Sequence, residues 1–397
     1  MKILLVSALY APNGVGGAER VVQSLAEAMV GAGHQVTVVS TAPQQGTCSD
    51  WVSGVKVYYV GLRNIYWPSW DKENPKVLKP LWHALDTYNI WMAREVAYIL
   101  EIEEPDLMHT NTLGGFSTII WQVAKQRGLP LVHTIHDYYL LCPRGIMFRN
   151  GENCKTQCPE CRLYGLLRRR FSNLVDVVVG VSRFSLERHL EFGYFATTPN
   201  KSVLFNSYEV GAAAPSSDTQ YTRFLPIRFG YLGRLLPLKG LEELLESVRR
   251  LPEGSWSLDV AGRGYATYER YLQAKYTTSA IRFLGFVEPK AFFRQIDVLV
   301  VPSVWHDPLP TVIIEACAHG VPVIGSSRGG IPELIEEQNT GFLFDPDHAG
   351  DLRAKMQRYI DEPAMIDNMR SACLKKAEDF LTENLLEQYL NLYDAAR

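Results

Sequence analysis

No apolar run in this chain approaches the ~18 residues needed to cross a bilayer, so it does not read as a membrane-spanning protein. It has no basic excess either. Lys and Arg number 40 against 43 Asp and Glu, the net charge is −3 and the pI is near 6.3. General nucleic-acid binding draws most of its affinity from such an excess, so it is set aside, and any anion site must be local. Cysteine is scarce: seven residues, an odd number, with no secretory segment to accompany a disulfide framework, which fits a reducing cytoplasm. The opening "MKILLVSALYAP" has the length of a short signal. The glycine loop "NGVGGAER" and an amphipathic helix follow it at once, and we read it as a first buried strand.

What the chain does have is alternation. Its 397 residues, 47% hydrophobic and 21% charged, fit two domains of about 200 residues each. Short β-branched runs such as "KILLVSA", "QVTVVST", "LPLVHTIHD" and "VVVGVS" alternate with helical patterns such as "AERVVQSLAEAMVGAG", whose Val21, Val22, Leu25 and Met29 share one face. Strands apolar on both sides and separated by helices imply a parallel sheet covered on both faces. The small, polar stretch "YEVGAAAPSSDTQYTRFLP" breaks the pattern, which resumes with "IRFGYLG", "WSLDVAG", "IRFLGFV", "VLVVPS" and "VPVIGS".

The expected fold is therefore α/β, with two doubly wound Rossmann-like domains facing a cleft. Residues 1–207 form the first domain, with an aromatic-rich insert at 58–98 and a cysteine loop at 142–161. Residues 208–226 form the linker and 227–380 the second domain. The helix at 381–397 is expected to pack back on the first.

In an open parallel sheet, ligands bind beyond the carboxyl ends of the strands. Arg234 and Lys239, in "GRLLPLKGLEELLES", lie there, after "IRFGYL" and beside a helix amino terminus whose free amides favour an anion. A diphosphate suits both, arginine through paired hydrogen bonds and lysine as a point charge. Asp307 opens a loop after "VLVVPS". Glu315 lies in an otherwise apolar helix, where its carboxylate needs a donor, from a ligand hydroxyl or from the protein itself. Gly329 and Gly330 let the backbone approach a ligand or simply form a turn.

Taken together, "GRLLPLKG", the Asp307–Glu315 spacing, "PVIGSSRGGIPELI" and the "GGAER" loop resemble the GT4 family of retaining nucleotide-sugar glycosyltransferases, which have the GT-B fold, over essentially the whole chain. The resemblance implies that Arg234 and Lys239 bind the donor diphosphate, Glu315 the ribose hydroxyls and Asp307 the transferred sugar. Aspartate departs from the family's usual glutamate. Pro310 replaces a frequent glycine, so Thr311 and Val312 are left to provide backbone contacts. Leu309 and Gly262 complete the implied donor set. Gly16 and Gly17 correspond to the family's glycine loop, open to the donor phosphate or the acceptor. His136, in "VHTIHD", corresponds to the active-site histidine. His109, in "DLMHTN", and Ser182 and Arg183, in "GVSRF", are placed near the acceptor.

The resemblance also implies retention by front-face attack and no catalytic metal. The "DPD" at Asp345–Asp347 reads as a surface turn and not as a metal triad. Cys142, Cys154, Cys158 and Cys161 have a spacing open to a structural zinc, to two disulfides or to free thiols, with zinc taken first. Trp67, Trp70, Trp82 and Trp91, interleaved with Lys72, Lys76 and Lys79, read first as packing and second as an acceptor surface. "LLRRRF", with Arg168 to Arg170, adds support for a phosphate-bearing acceptor or an anionic membrane. The expected partners are a nucleotide sugar and a saccharide or lipid-linked saccharide, in the cytoplasm, with peripheral association at the inner membrane face left open. A GT-B phosphorylase, a sugar-nucleotide epimerase or a non-catalytic binding member are the alternatives.

Overall fold

The computed structural model describes residues 1–13, 16–68, 77–208 and 226–397. Most of the linker expected at 208–226 lies outside these residues, as do Trp70, Lys72 and Lys76 of the aromatic insert. The described chain divides into two compact units. One comprises Met1–Arg149, Cys154–Asn206 and Thr382–Arg397; the other Asn150–Asn153 and Ser207–Leu381.

The first unit begins β1 (Lys2–Val6), α1 (Gly17–Gly31), β2 (Gln35–Ala42), β3 (Thr47–Val52) and β4 (Val55–Gly61). Two helices follow, α2 (Lys79–Thr87) and α3 (Ile90–Glu103), then β5 (Leu107–Thr110), α4 (Ile119–Gln126) and β6 (Leu131–Ile135). Then come β7 (Phe148–Arg149), β8 (Glu152–Asn153), which is grouped with the second unit, α5 (Pro159–Ser172), β9 (Val177–Gly180), α6 (Arg183–Glu191) and β10 (Asn200–Val203). The large sheet has the order β10-β9-β6-β5-β1-β2-β4-β3 and is parallel except for β3 against β4. β3, "TCSDWV", is almost wholly exposed and carries no apolar alternation, so nothing in the sequence pattern marks it.

The second unit contains β11 (Ile227–Leu232), a 3-10 turn at Pro237–Lys239, α7 (Leu241–Val248), β12 (Trp256–Ala261), α8 (Ala266–Tyr276) and β13 (Ile281–Gly285). It continues with α9 (Pro289–Phe293), β14 (Val298–Val301), α10 (Thr311–Ala318), β15 (Val323–Ser326), α11 (Ile331–Leu334) and β16 (Gly341–Phe344). α12 (Asp351–Asp361) and α13 (Ala364–Ala377) end it, and α14 (Thr382–Ala396) belongs to the first unit. Its sheet is parallel throughout, in the order β13-β12-β11-β14-β15-β16.

The helices form because their apolar residues recur at helical spacing and have a sheet to cover. α7 buries Leu241, Leu244, Leu245 and Val248, and α1 buries Val21, Val22, Leu25, Ala26 and Met29. Each such side chain contributes about 1.5–3 kcal/mol when fully buried. α14 lies along α1 and inserts Leu385, Tyr389 and Tyr393 into the first core.

Strand order fixes where ligands can enter. In the second sheet the chain runs outward from β11 in both directions, through β12 on one side and β14 on the other. The connections after β11 and β14 therefore lead to opposite faces, the switch point at which open parallel sheets bind ligands in a crevice. In the first sheet β1 and β5 play the same part.

Candidate active site

In the second unit, the loop after β11 carries Arg234 and Lys239, and the loop after β14 carries Asp307. Two glycines let these loops pack closely. Gly240, at φ +70, starts α7 where a Cβ would fall 1.8 Å from the Pro302 carbonyl oxygen. Gly262, at φ +136, lies against Gly233, whose carbonyl oxygen would be 1.7 Å from any Cβ there. Gly262 therefore sets the backbone beside Arg234, and it has no side chain to offer a donor.

Lys239 Nζ donates to Asp307 Oδ2 at 2.5 Å and stands over the Trp305 ring, 5.4 Å from its centroid. Asp307 is buried, and its loop is held at several points. Its carbonyl accepts from the Gly330 amide at 2.8 Å, and the Gly329 amide donates to His306 Nδ1 at 3.3 Å. A Cβ on Gly329, at φ +58, would sit 2.1 Å from the Asp307 carbonyl oxygen, so the glycine pair clasps this loop. Asn153, grouped with this unit, donates to the Val304 carbonyl and accepts from the His306 amide, both at 2.8 Å.

α10 starts just beyond, at Thr311, with Pro310 before it and no side chain capping it. The first amides of an uncapped helix face outward and favour an anion, which fits the expected backbone role of Thr311 and Val312. Leu309 is buried. Glu315, half-buried, accepts from Thr311 Oγ1 at 3.4 Å, one helical turn back. Arg234 is exposed, its carbonyl fixed by the Tyr231 hydroxyl at 2.8 Å. Glu243, on the first turn of α7, is pushed up to about 7 by burial and by the charge of Asp347, with Arg328 opposing. Asp347 itself pairs with Arg328 at 2.5 Å, so the "DPD" turn is tied to the β15–α11 loop.

In the first unit, Gly16 precedes α1, and the Glu19 carboxylate folds back over it: a Cβ on Gly16 would meet Glu19 Oε2 at 2.3 Å. A donor phosphate at Gly16 and Gly17 would therefore meet a carboxylate, whereas an acceptor hydroxyl can donate to one. His136, after β6, donates from Nε2 to Asn111 Oδ1 at 3.1 Å. Its Nδ1 and the Asn111 Nδ2 are shielded from solvent and have no hydrogen-bond partner among the described residues. Burial pushes the ring down to about 4, so it is neutral at pH 7. Beside it, burial raises Asp137 to about 6, the charge of Glu19 adding to the effect and the Tyr139 amide, 2.7 Å away, opposing it.

Several expectations are corrected here. His109 is not an acceptor residue. It is fully buried, with Nδ1 bonded to the Tyr393 hydroxyl at 2.7 Å and Nε2 to Thr134 Oγ1 at 2.8 Å, so neither nitrogen is left for a ligand. Asn111, two residues later, is the strand-end group that reaches His136. Ser182 caps α6: its buried hydroxyl accepts from the Ser185 amide at 3.1 Å in a capping box. Arg183, next in the chain, is exposed.

Arg168 does not join an anion-binding cluster. It is fully buried over the Tyr139 ring, bonded to the Tyr139 carbonyl and to Asp86. The four-thiolate zinc arrangement is not formed, since among the described residues no group of three or more His, Cys, Asp or Glu is placed to hold a metal ion. The cysteines are free thiols that hydrogen-bond one another. Cys161 bonds both Cys142 and Cys158 and holds Cys142 down to about 6, while Cys154 lies to the side. Trp82 is packed, its indole N–H donating to the Tyr66 carbonyl, while Trp91 is exposed.

Residues 226–380 match the family described as Glycosyl transferases group 1, and residues 15–199 match Glycosyltransferase Family 4. A protein of Klebsiella pneumoniae, described as an uncharacterized 42.6 kDa protein in the cps region, is 32% identical over 99% of this chain and 100% of its own length. The chain belongs to the GT4-type glycosyltransferases. Solved structures of this kind share its fold. Sucrose-phosphate synthase from Thermosynechococcus elongatus superposes with a TM-score of 0.77 at 20% identity, over 99% of this chain and 98% of that one. Anabaena Alr3699/HepE in complex with UDP-glucose gives 0.71 at 18% identity over the full length of both. The GT-B architecture and glycosyltransferase class thus fit the two switch-point crevices just described.

Proposed function

We propose that this glycosyltransferase moves a sugar from a nucleoside-diphosphate donor to a saccharide or lipid-linked saccharide acceptor, with retention of configuration and no catalytic metal, in polysaccharide assembly at the cytoplasmic face of a membrane. The observation that supports the reading is the Lys239–Asp307 pair at the second switch point, with Arg234 on the same loop as Lys239 and the uncapped start of α10 just beyond Asp307. As the glycosidic bond breaks, its electron pair goes to the departing diphosphate. Fixed cations and helix amides stabilise that growing charge without reorganising. The acceptor oxygen bonds to the anomeric carbon from the same face and passes its proton to the leaving phosphate oxygen.

Glu315, which accepts from Thr311 Oγ1, is suited to the ribose hydroxyls, and Asp307 offers Oδ1 to the sugar while Oδ2 holds Lys239. In the first unit, neutral His136 offers a bare Nδ1 to a sugar hydroxyl. Asp137 and Glu19 are suited to acceptor hydroxyls.

The test is a thermal-shift panel of UDP, GDP and ADP and their sugars, beginning with UDP-glucose because Alr3699/HepE was crystallised with it. A ligand at about 100 times its Kd adds about 2.7 kcal/mol of stability. A shift with one diphosphate series, absent in R234A, supports the reading. No shift with any of them, or sugar phosphate release that needs only inorganic phosphate, sinks it.

A further inference from the structure

α5 and α2 pack side by side on the first unit, with the Tyr164 hydroxyl donating to the Pro80 carbonyl at 3.0 Å and Tyr88 stacked on Phe171. Their inner faces are filled by Trp82, Cys161, Arg168 and Phe171. The outer face should then be polar, as on any solvated helix. Instead α5 exposes Leu163 (65%), Leu166 (56%) and Leu167 (38%), and α2 exposes Leu81 (56%). Arg162, Arg169 and Arg170 share that outer face. At helical spacing Leu166 lies one turn from both Arg162 and Arg170, and Leu163 one turn from Leu167, so leucines and arginines interleave on one surface.

The charge on this surface is unbalanced. Glu160, the one acid of α5, is paired with Arg144, and Arg162, Arg169 and Arg170 have no ion-pair partner among the described residues. Three unmatched cations among exposed leucines, in a chain whose net charge is −3, suit a surface that offers phosphates at its rim and hydrocarbon beneath. A protein partner would have to match leucine and arginine positions one by one. A bilayer supplies both chemistries everywhere, and arginine binds phosphate through paired hydrogen bonds.

We propose that the α2–α5 face docks on an anionic phospholipid bilayer, the leucines entering the interface and the arginines binding lipid phosphates. The inference rests on the reading of the acceptor as lipid-linked, and gives that reading a surface.

The experiment is co-sedimentation of the full chain with phosphatidylcholine vesicles, with and without phosphatidylglycerol. The wild type is expected to pellet with the anionic vesicles only. R162Q/R169Q/R170Q is expected to lose about a hundredfold in affinity. L163S/L166S/L167S is expected to lose at least about tenfold. All six side chains are exposed, and an unchanged melting temperature confirms that each variant is folded. Nucleotide-induced stabilisation, measured on the same proteins, is expected to match the wild type. Equal binding to neutral vesicles, unchanged binding by either variant, or a self-association abolished by the leucine variant overturns the proposal, the last in favour of a second copy. The two readings fail separately: nucleotide binding absent with vesicle binding intact removes the transferase chemistry alone, and the converse removes the docking surface alone.

Discussion

Lys239 Nζ and Asp307 Oδ2 are 2.5 Å apart, although the residues come from loops after different strands. Their side chains are 23% and 7% exposed, so the pair is largely out of water. The lysine's charge is thus compensated within the protein, and the aspartate fixes its position. K239A leaves a buried carboxylate unpaired and is expected to destabilise the second unit by about 3 kcal/mol. K239M/D307L removes both charges and is expected to recover most of that loss in urea unfolding, while transfer stays about 100-fold or more below wild type. Recovery of activity along with stability would mean that the pair serves the fold alone.

Arg234 separates the two effects from the other side. It is exposed, so R234A is expected to change stability by no more than about 0.5 kcal/mol. It is also expected to lower kcat/KM by roughly 100- to 1000-fold through lost stabilisation of the leaving diphosphate. R234K keeps the charge and loses the paired hydrogen bonds, and an intermediate rate is expected. A loss confined to KM, with kcat unchanged, would make Arg234 a ground-state binder only.

The first unit is built to fail in acid. Burial holds His83, His136 and His189 down to about 4 and His109 to about 3. A base with a lowered folded-state value is neutral when folded and takes up its proton on unfolding. Its contribution is therefore complete above about 6.5 and is lost as the pH falls toward 4. His133 is lowered by burial as well, whereas Asp137, raised to about 6, and Asp86, also raised by burial, hold protons in the folded state and release them on unfolding. Unfolding of this unit near pH 5 is therefore expected to take up roughly three protons net, read from the slope of stability against pH. Hydrogen exchange should show it opening before the second unit. Uptake of less than one proton would contradict the placing of these rings.

The parts of the site legible in the sequence were those fixed by strand ends. "IRFGYL", apolar apart from Arg228, and "VLVVPS" read as buried parallel strands, and Arg234, Lys239 and Asp307 followed them at the ligand edge. What the sequence hid depended on distant chain. Nothing near "DLMHTN" says that Tyr393, 284 residues later, seals His109 into the core, leaving Asn111 to reach His136. Arg168 and Arg169 are adjacent and alike in sequence. Helical rotation turns one inward onto Asp86 and leaves the other outside. The cysteine spacing likewise carried no information on the geometry of the four sulfurs, since loop spacing limits which ligand sets can form without choosing among them.

Glu243 supplies a pH effect of the opposite sign. Its carboxyl is raised from 4.5 to about 7, chiefly by burial. The folded state therefore holds this proton more tightly than the unfolded chain does. The associated stability is complete below about 4.5 and is lost as the pH rises through 7. The full shift corresponds to about 3 kcal/mol, which partial solvent exposure reduces to about 1–2 kcal/mol. E243Q stays neutral at every pH, so it is expected to be more stable than wild type by that amount at pH 8 and no more stable at pH 4.5. Denaturant unfolding at the two pH values measures both differences. Because Asp347 adds to the upward shift, D347N should shrink the gain at pH 8. An E243Q effect that is the same at both pH values would show that the side chain acts through packing, with its proton playing no part.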